Sequence, residues 1–198
     1  ACGGYAGYLL RMRRFDESIA ESKRMVELDP VSVLSNRNLA ITFYYARQYD
    51  QAIEQCKKTL ELDPNMVTVY GWLAMAYEHK GLYDEAIKAD LQGYDSSGVG
   101  PDTTTALREA YAASGWRGYR QKELDLAQKQ AKQSYVSPYW IATMYAQLGE
   151  KDHALAWLEK AYEQHDWLLT HLNPDPKFDD LRSDPRFKDL LRRMNLEP

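Results

Sequence analysis

The chain has 198 residues, 44% of them hydrophobic and 12% aromatic, which is enough to build a packed core and too much for a disordered segment. Its 25 Lys and Arg against 29 Asp and Glu give a net charge of -4, so nothing global draws it to nucleic acid. Two distant cysteines, Cys2 and Cys56, form no CxxC and suggest neither a disulfide framework nor a zinc site, and no apolar run approaches the roughly 18 residues of a membrane span.

A period of 34 residues organises the chain. It aligns Ala6, Ala40, Ala74 and Ala142 in one column with Arg108 on the fourth beat, and Leu9, Phe43, Tyr77, Tyr111 and Tyr145 in another. Ser18, Ala52, Ala86 and Ala154 make a third column, and Pro30 pairs with Pro64. A fixed period of this length means a helix-turn-helix unit that buries its apolar face on its neighbours, so the expected fold is an all-α solenoid. The expected units are about 1–30, 31–64, 65–98, 99–132 and 133–166, followed by a helical cap at 167–198.

Because Ala1 already falls within the first helix of a unit, the sequence reads as a piece of a longer protein. Tyr5, Tyr8 and Leu9 leave an apolar end there, a candidate self-association surface. In the second unit, Leu39, Ala40 and Phe43 form the stripe of one helix, and Tyr49, Ala52, Ile53, Cys56 and Leu60 that of its partner, with Cys56 as core. Asp16, Asp50, Asp84 and Asp152 are placed to satisfy amides at the start of each second helix. Pro64 ends the unit by removing an amide hydrogen. The turn column holds Gly81, Gly115 and Gly149, residues suited to positive φ, yet Arg13 and Arg47 occupy it in the first two units.

The stretch YDSSGVGP reads as a loop before the fourth unit, whose Arg108 and Arg120 replace both small residues. That unit should be irregular, as a change of curvature, a hinge or a partner contact. Beyond Tyr162 the repeat dissolves. Asp175-Pro176 and Asp184-Pro185 read as helix starts, and Phe187, Leu190, Leu191 and Met194 form the apolar stripe of a cap. Arg182, Arg186, Lys188, Arg192 and Arg193 give this tail a basic, solvated helix face.

The stretch LAMAYEHKGLYDEAI, Leu73 to Ile87, resembles the tetratricopeptide repeat signature, and the resemblance runs from Ala1 to about Asp166. It implies a right-handed solenoid of five helix-turn-helix units with a C-terminal capping helix. The closing stretch, from YVSPYWIATMYAQLGE to PRFKDLLRRM, is similar to tetratricopeptide arrays at the C-terminus of bacterial signalling proteins of protein kinase, winged-helix regulator or cyclase type. That likeness implies a scaffolding or sensory part of a larger protein, cytoplasmic, or periplasmic if a membrane span lies upstream.

The family also implies peptide binding in a concave groove lined by the first helix of each unit. Carried over, the groove takes Leu34, Arg37, Ile41, Tyr44 and Tyr45 from the second unit and Thr68, Met75, Glu78 and His79 from the third. Thr105 and Glu109 come from the fourth, and Tyr139, Thr143 and Gln147 from the fifth. Tyr44, Tyr45 and Tyr139 are the expected anchors, since tyrosine offers large area with few rotors. Asn38 matches the chaperone-tail clamp of some relatives, but Gly71 and Met75 stand where its basic pair should be.

No catalytic, metal or cofactor pattern emerges. His79, His153, His165 and His171 make no metal spacing, Ser96-Ser97-Gly98-Val99-Gly100 lacks the residues of a phosphate loop, and Asp179 and Asp180 point to different sides of a helix. The expectation is a non-catalytic module with a protein or peptide partner, no nucleic acid and no membrane insertion. Self-association as a homodimer, or docking on an upstream domain, is the alternative.

Overall fold

The computed structural model describes residues 2–196, with side-chain surroundings from residue 4 onward, so the expectations placed on Ala1 and the Cys2 thiol fall outside the described residues. Every regular element among them is helical, and no strand forms. The chain divides into two compact units, Ala1–Thr105 and Ala106–Pro198.

The first unit is a run of helix hairpins: α1 (Cys2–Arg11) with α2 (Phe15–Leu28), α3 (Val33–Tyr45) with α4 (Tyr49–Leu62), and α5 (Val67–His79) with α6 (Tyr83–Ser97). Its core is the set of periodic columns read from the sequence. Leu39, Ala40, Phe43, Ala52, Ile53, Cys56, Leu73 and Ala74 are all buried in one cluster. Cys56 has no solvent contact, and burial pushes its thiol up to about 12, so it acts as a small apolar side chain.

Polar contacts repeat with the same step. The Asn36 side-chain amide donates to the Pro30 carbonyl at 2.9 Å, and 34 positions on the Tyr70 hydroxyl donates to the Pro64 carbonyl at 3.1 Å. Lys23 lies 5.8 Å from the centre of the Phe43 ring, and Lys57 lies 5.8 Å from that of Tyr77. Ser18 takes the small-residue column because its hydroxyl donates to the Ala6 carbonyl at 2.9 Å, satisfying a polar group with no exposure.

The turn column takes positive φ throughout: 57° at Arg13, 61° at Arg47, 72° at Gly81, 62° at Gly115 and 80° at Gly149. Asp16, Asp50, Asp84 and Asp152 lie inside the first helical turn, not at the cap position. The caps are Arg14, Gln48, Leu82 and Glu150, which make no side-chain cap bond, so the acids favour these helix starts through charge against the positive helix end. The expected loop at YDSSGVGP is also shorter than read. Tyr94 to Ser97 continue α6, which stops at Gly98 with φ 71°, a left-handed cap that glycine adopts without steric cost.

The fourth repeat is irregular, as its two arginines suggested. It lies in α7 (Pro101–Ala131), interrupted at Ser114 (φ −143°) and Gly115 (φ 62°, ψ −156°). A Cβ at Gly118 would stand 2.7 Å from the Ala110 carbonyl oxygen and 2.5 Å from Ser114 Cβ, so the two halves touch about half a helical turn nearer the bend than the alanine columns would place them. Relieved of that close approach, Arg120 is buried as an ion pair with Glu123, itself buried.

The second unit continues with α8 (Pro138–Gln147) and α9 (Lys151–Glu163), two 3₁₀ turns at Trp167–His171 and Pro176–Leu181, and α10 (Pro185–Arg193). Phe178, Leu181, Phe187, Leu190 and Leu191 bury themselves in one cluster with Tyr139, Ala142, Ala154, Leu155 and Leu158. Three aspartates punctuate this tail. Asp166, Asp175 and Asp184 accept from the amides of Leu168, Lys177 and Arg186 at 3.0, 3.0 and 2.8 Å. Hydrogen bonds from Arg186 hold the Asp184 carboxyl down to about 2, so this cap stays ionised well into acid. Arg193 ties α10 to α9 by pairing with Glu159 and covering the Tyr162 ring at 4.7 Å.

Candidate functional site

The candidate groove residues divide by unit and by burial. In the first unit, Leu34, Arg37 and Ile41 step by three and four along α3, so they share one helix face. Leu34 is 56% exposed, and Arg37 and Ile41 are partly exposed. On neighbouring α5, Thr68 is exposed and Met75 and Glu78 partly so. This face therefore carries apolar surface with an arginine in its middle.

The tyrosines behave otherwise, and here the sequence reading needs correction. Tyr44 is fully buried and Tyr45 nearly so, because both sit inside an aromatic cluster built from three helices. The Tyr44 ring lies 5.5 Å from Tyr45, 5.9 Å from Tyr49, 5.4 Å from Trp72 and 5.5 Å from His79. Its hydroxyl lies 3.1 Å from His79 Nε2, and the His79 ring stacks on Tyr49 at 4.8 Å. Edge-on aromatic contacts of this kind belong to packing. His79 is exposed as a residue, but its ring is part of the same assembly.

In the second unit Tyr139 and Thr143 are likewise buried. The tail covers Tyr139: its hydroxyl donates to Asp175 at 2.7 Å, Phe178 meets its ring edge-on at 5.6 Å, and its amide donates to Asp166 at 3.2 Å. Asp166 also accepts from the Ser137 hydroxyl. Thr143 donates to the Trp140 carbonyl at 2.8 Å, and Gln147 is partly exposed. Thr105 and Glu109 stand exposed on α7. The four residues that lose their expected role as ligand contacts are thus Tyr44, Tyr45, Tyr139 and Thr143.

Three residues outside the expected set shape these places. Trp72 closes over Tyr44 and Tyr45, the latter at 5.7 Å. Trp140 and Trp167 are exposed on the second unit, Trp140 with Lys177 5.5 Å above its ring. A tryptophan next to a helical glycine, as at Gly71-Trp72, was the available signal for the first. Among the described residues no group of three or more His, Cys, Asp or Glu is placed to hold a metal ion, and no helix is long and apolar enough to cross a membrane.

These are tandem helix hairpins stacked through a common set of columns, the architecture of a helical-repeat protein. Residues 37–101 and residues 139–164 each match a tetratricopeptide repeat family model, and together with the fold they support that family and a protein-interaction module. No curated protein matches the chain. Among solved structures it is similar to YrrB, described as a TPR protein with an unusual peptide-binding site, at 17% identity and a TM-score of 0.43 over 89% of this chain and 92% of that one.

Proposed function

We propose that this chain is a non-catalytic interaction module that binds an extended peptide segment on the α3 and α5 face of its first unit. The observation that carries the reading is Leu34, Arg37 and Ile41, aligned on one face and left partly open while Ser35, Asn36, Leu39, Ala40 and Thr42 of the same helix are buried. Exposed apolar area flanking a charged group is what a specific protein contact needs. Leu34→Glu with Thr68→Glu tests it, because both positions are exposed. The denaturation midpoint should stay within about 0.5 kcal/mol of wild type, as surface changes do, while a protein retained by the wild type in a lysate pull-down is lost. Equal retention by both chains would overturn the reading.

A second reading, self-association, is favoured by Tyr5 and Tyr8, each about half exposed on α1, and by Met12, half exposed just beyond it, whereas Leu9, the third residue expected there, is buried. Light scattering across a dilution series is expected to show a dimer in that case, and a strict monomer at high concentration removes it. The likeness of the closing stretch to arrays of bacterial signalling proteins supports placing the module in such a protein, with the cytoplasm as its compartment and the periplasm as the alternative.

A further inference from the structure

Tyr5 and Tyr8 stand half exposed on α1, yet their counterparts one, two and four repeats on are all buried. Leu39, Leu73 and Ile141 answer to Tyr5, and Thr42, Ala76 and Met144 to Tyr8. What buries them is a helix of the preceding repeat. On α3 it is α2, where the Ser22 and Thr42 hydroxyls meet at 3.1 Å, and on α5 it is α4. Leu124 and Ala127 of α7 cluster in the same way with Ile141 and Met144 of α8. On α1 this face is open and Met12 continues it, so the repeat geometry marks it as the seat of a helix.

In a second copy, no second helix is free to take that seat. Ser22 of α2 is held on Thr42, Cys56 and Thr59 of α4 have no exposure, and Ala89 and Leu91 of α6 are buried. Leu155, Leu158 and Ala161 of α9 lie in one cluster with Phe178, Phe187 and Leu190 of the tail. The helix that still offers a bare stacking face is α1 itself. A contact of α1 on α1 is its own complement, closed by a two-fold axis. α1 carries no acid and ends on Arg11, so an antiparallel pair, which draws the two Arg11 side chains apart along the helices, is favoured over a parallel one.

We propose that α1 pairs antiparallel with α1 of a second copy, Tyr8 lying near the two-fold axis and Tyr5 of each copy set against Met12 of the other. The inference rests on the self-association reading above and adds the surface, the symmetry and the stopping point, a dimer that cannot grow further. Tyrosine at a column that holds Thr42 and Ala76 elsewhere keeps the two helices farther apart than α2 stands from α3, and the rings fill the gap. Ten residues of helix span roughly 15 Å, so the contact falls short of the roughly 800 Å² per partner of a stable interface, and the dimer is weak and reversible.

Sedimentation velocity of the full chain from about 5 to about 500 μM tests this, beside Tyr8→Lys and Leu34→Glu. The wild type and Leu34→Glu should pass from monomer to dimer and stop there. Tyr8→Lys should associate about ten- to hundredfold more weakly, because two charges then meet at the axis, with its circular dichroism unchanged. The ring resonances of Tyr5 and Tyr8 should move with concentration, while those of Tyr135, exposed on the second unit, stay put. A dimer that persists in Tyr8→Lys would overturn the α1 pairing and leave self-association standing. Species beyond the dimer would overturn its closure. A monomer at every concentration overturns both and leaves the face to a helix of another protein.

Discussion

Tyr44→Ala is expected to cost about 3–5 kcal/mol of stability, the range for removing a large buried aromatic ring. The side chain has no exposure and touches four other rings, so truncation opens a cavity bounded by Tyr45, Tyr49, Trp72 and His79. A fall in the denaturant midpoint measures it. Tyr44→Phe keeps the ring contacts and loses the hydroxyl bond to His79, so it should cost about 1 kcal/mol. Had Tyr44 been a ligand anchor on an open surface, both midpoints would match wild type, and that outcome would overturn its placement in the core.

The second large effect is expected at Phe178, fully buried between Tyr139 at 5.6 Å and Phe187 at 6.1 Å. Phe178→Ala should again cost about 3–5 kcal/mol, concentrated in the tail. Neighbouring elements of a repeat array stabilise one another locally, so the loss should appear in hydrogen exchange as faster amides from 167 to 196 and in α8, with α3 to α6 keeping their protection. Uniform loss across every helix, or none in the tail, would contradict this account.

The repeat was legible because its columns are set by sterics. Ala40, Ala52, Ala74 and Ala86 must be small where two helices approach, and the structure buries all four. The turn column was legible for the same reason, down to the two arginines forced into positive φ. Burial of the tyrosines was not. Tyrosine serves surfaces and cores alike, and what decides for Tyr44 is Trp72 and His79 on another helix, whose approach no local pattern states. Tyr139 was hidden by Asp175 and Phe178, which follow after the period has ended. That Leu34, Arg37 and Ile41 share one helix face was readable from their spacing, whereas how far each stands open is set by neighbouring helices.

The arginines at Arg13 and Arg47 give the first unit an order of assembly. A side chain in the left-handed region is disfavoured by roughly 1 kcal/mol against glycine, so an isolated chain seldom bends there unaided. Gly81 carries no such penalty, and the α5–α6 hairpin is the one whose turn can close early, before its neighbours exist. The α1–α2 and α3–α4 turns then form on that template. Growth of the unit is expected to run from its glycine turn back toward its first helix, against the direction in which the chain is synthesised, so mutations in α5 and α6 should slow folding more than mutations in α1 and α2.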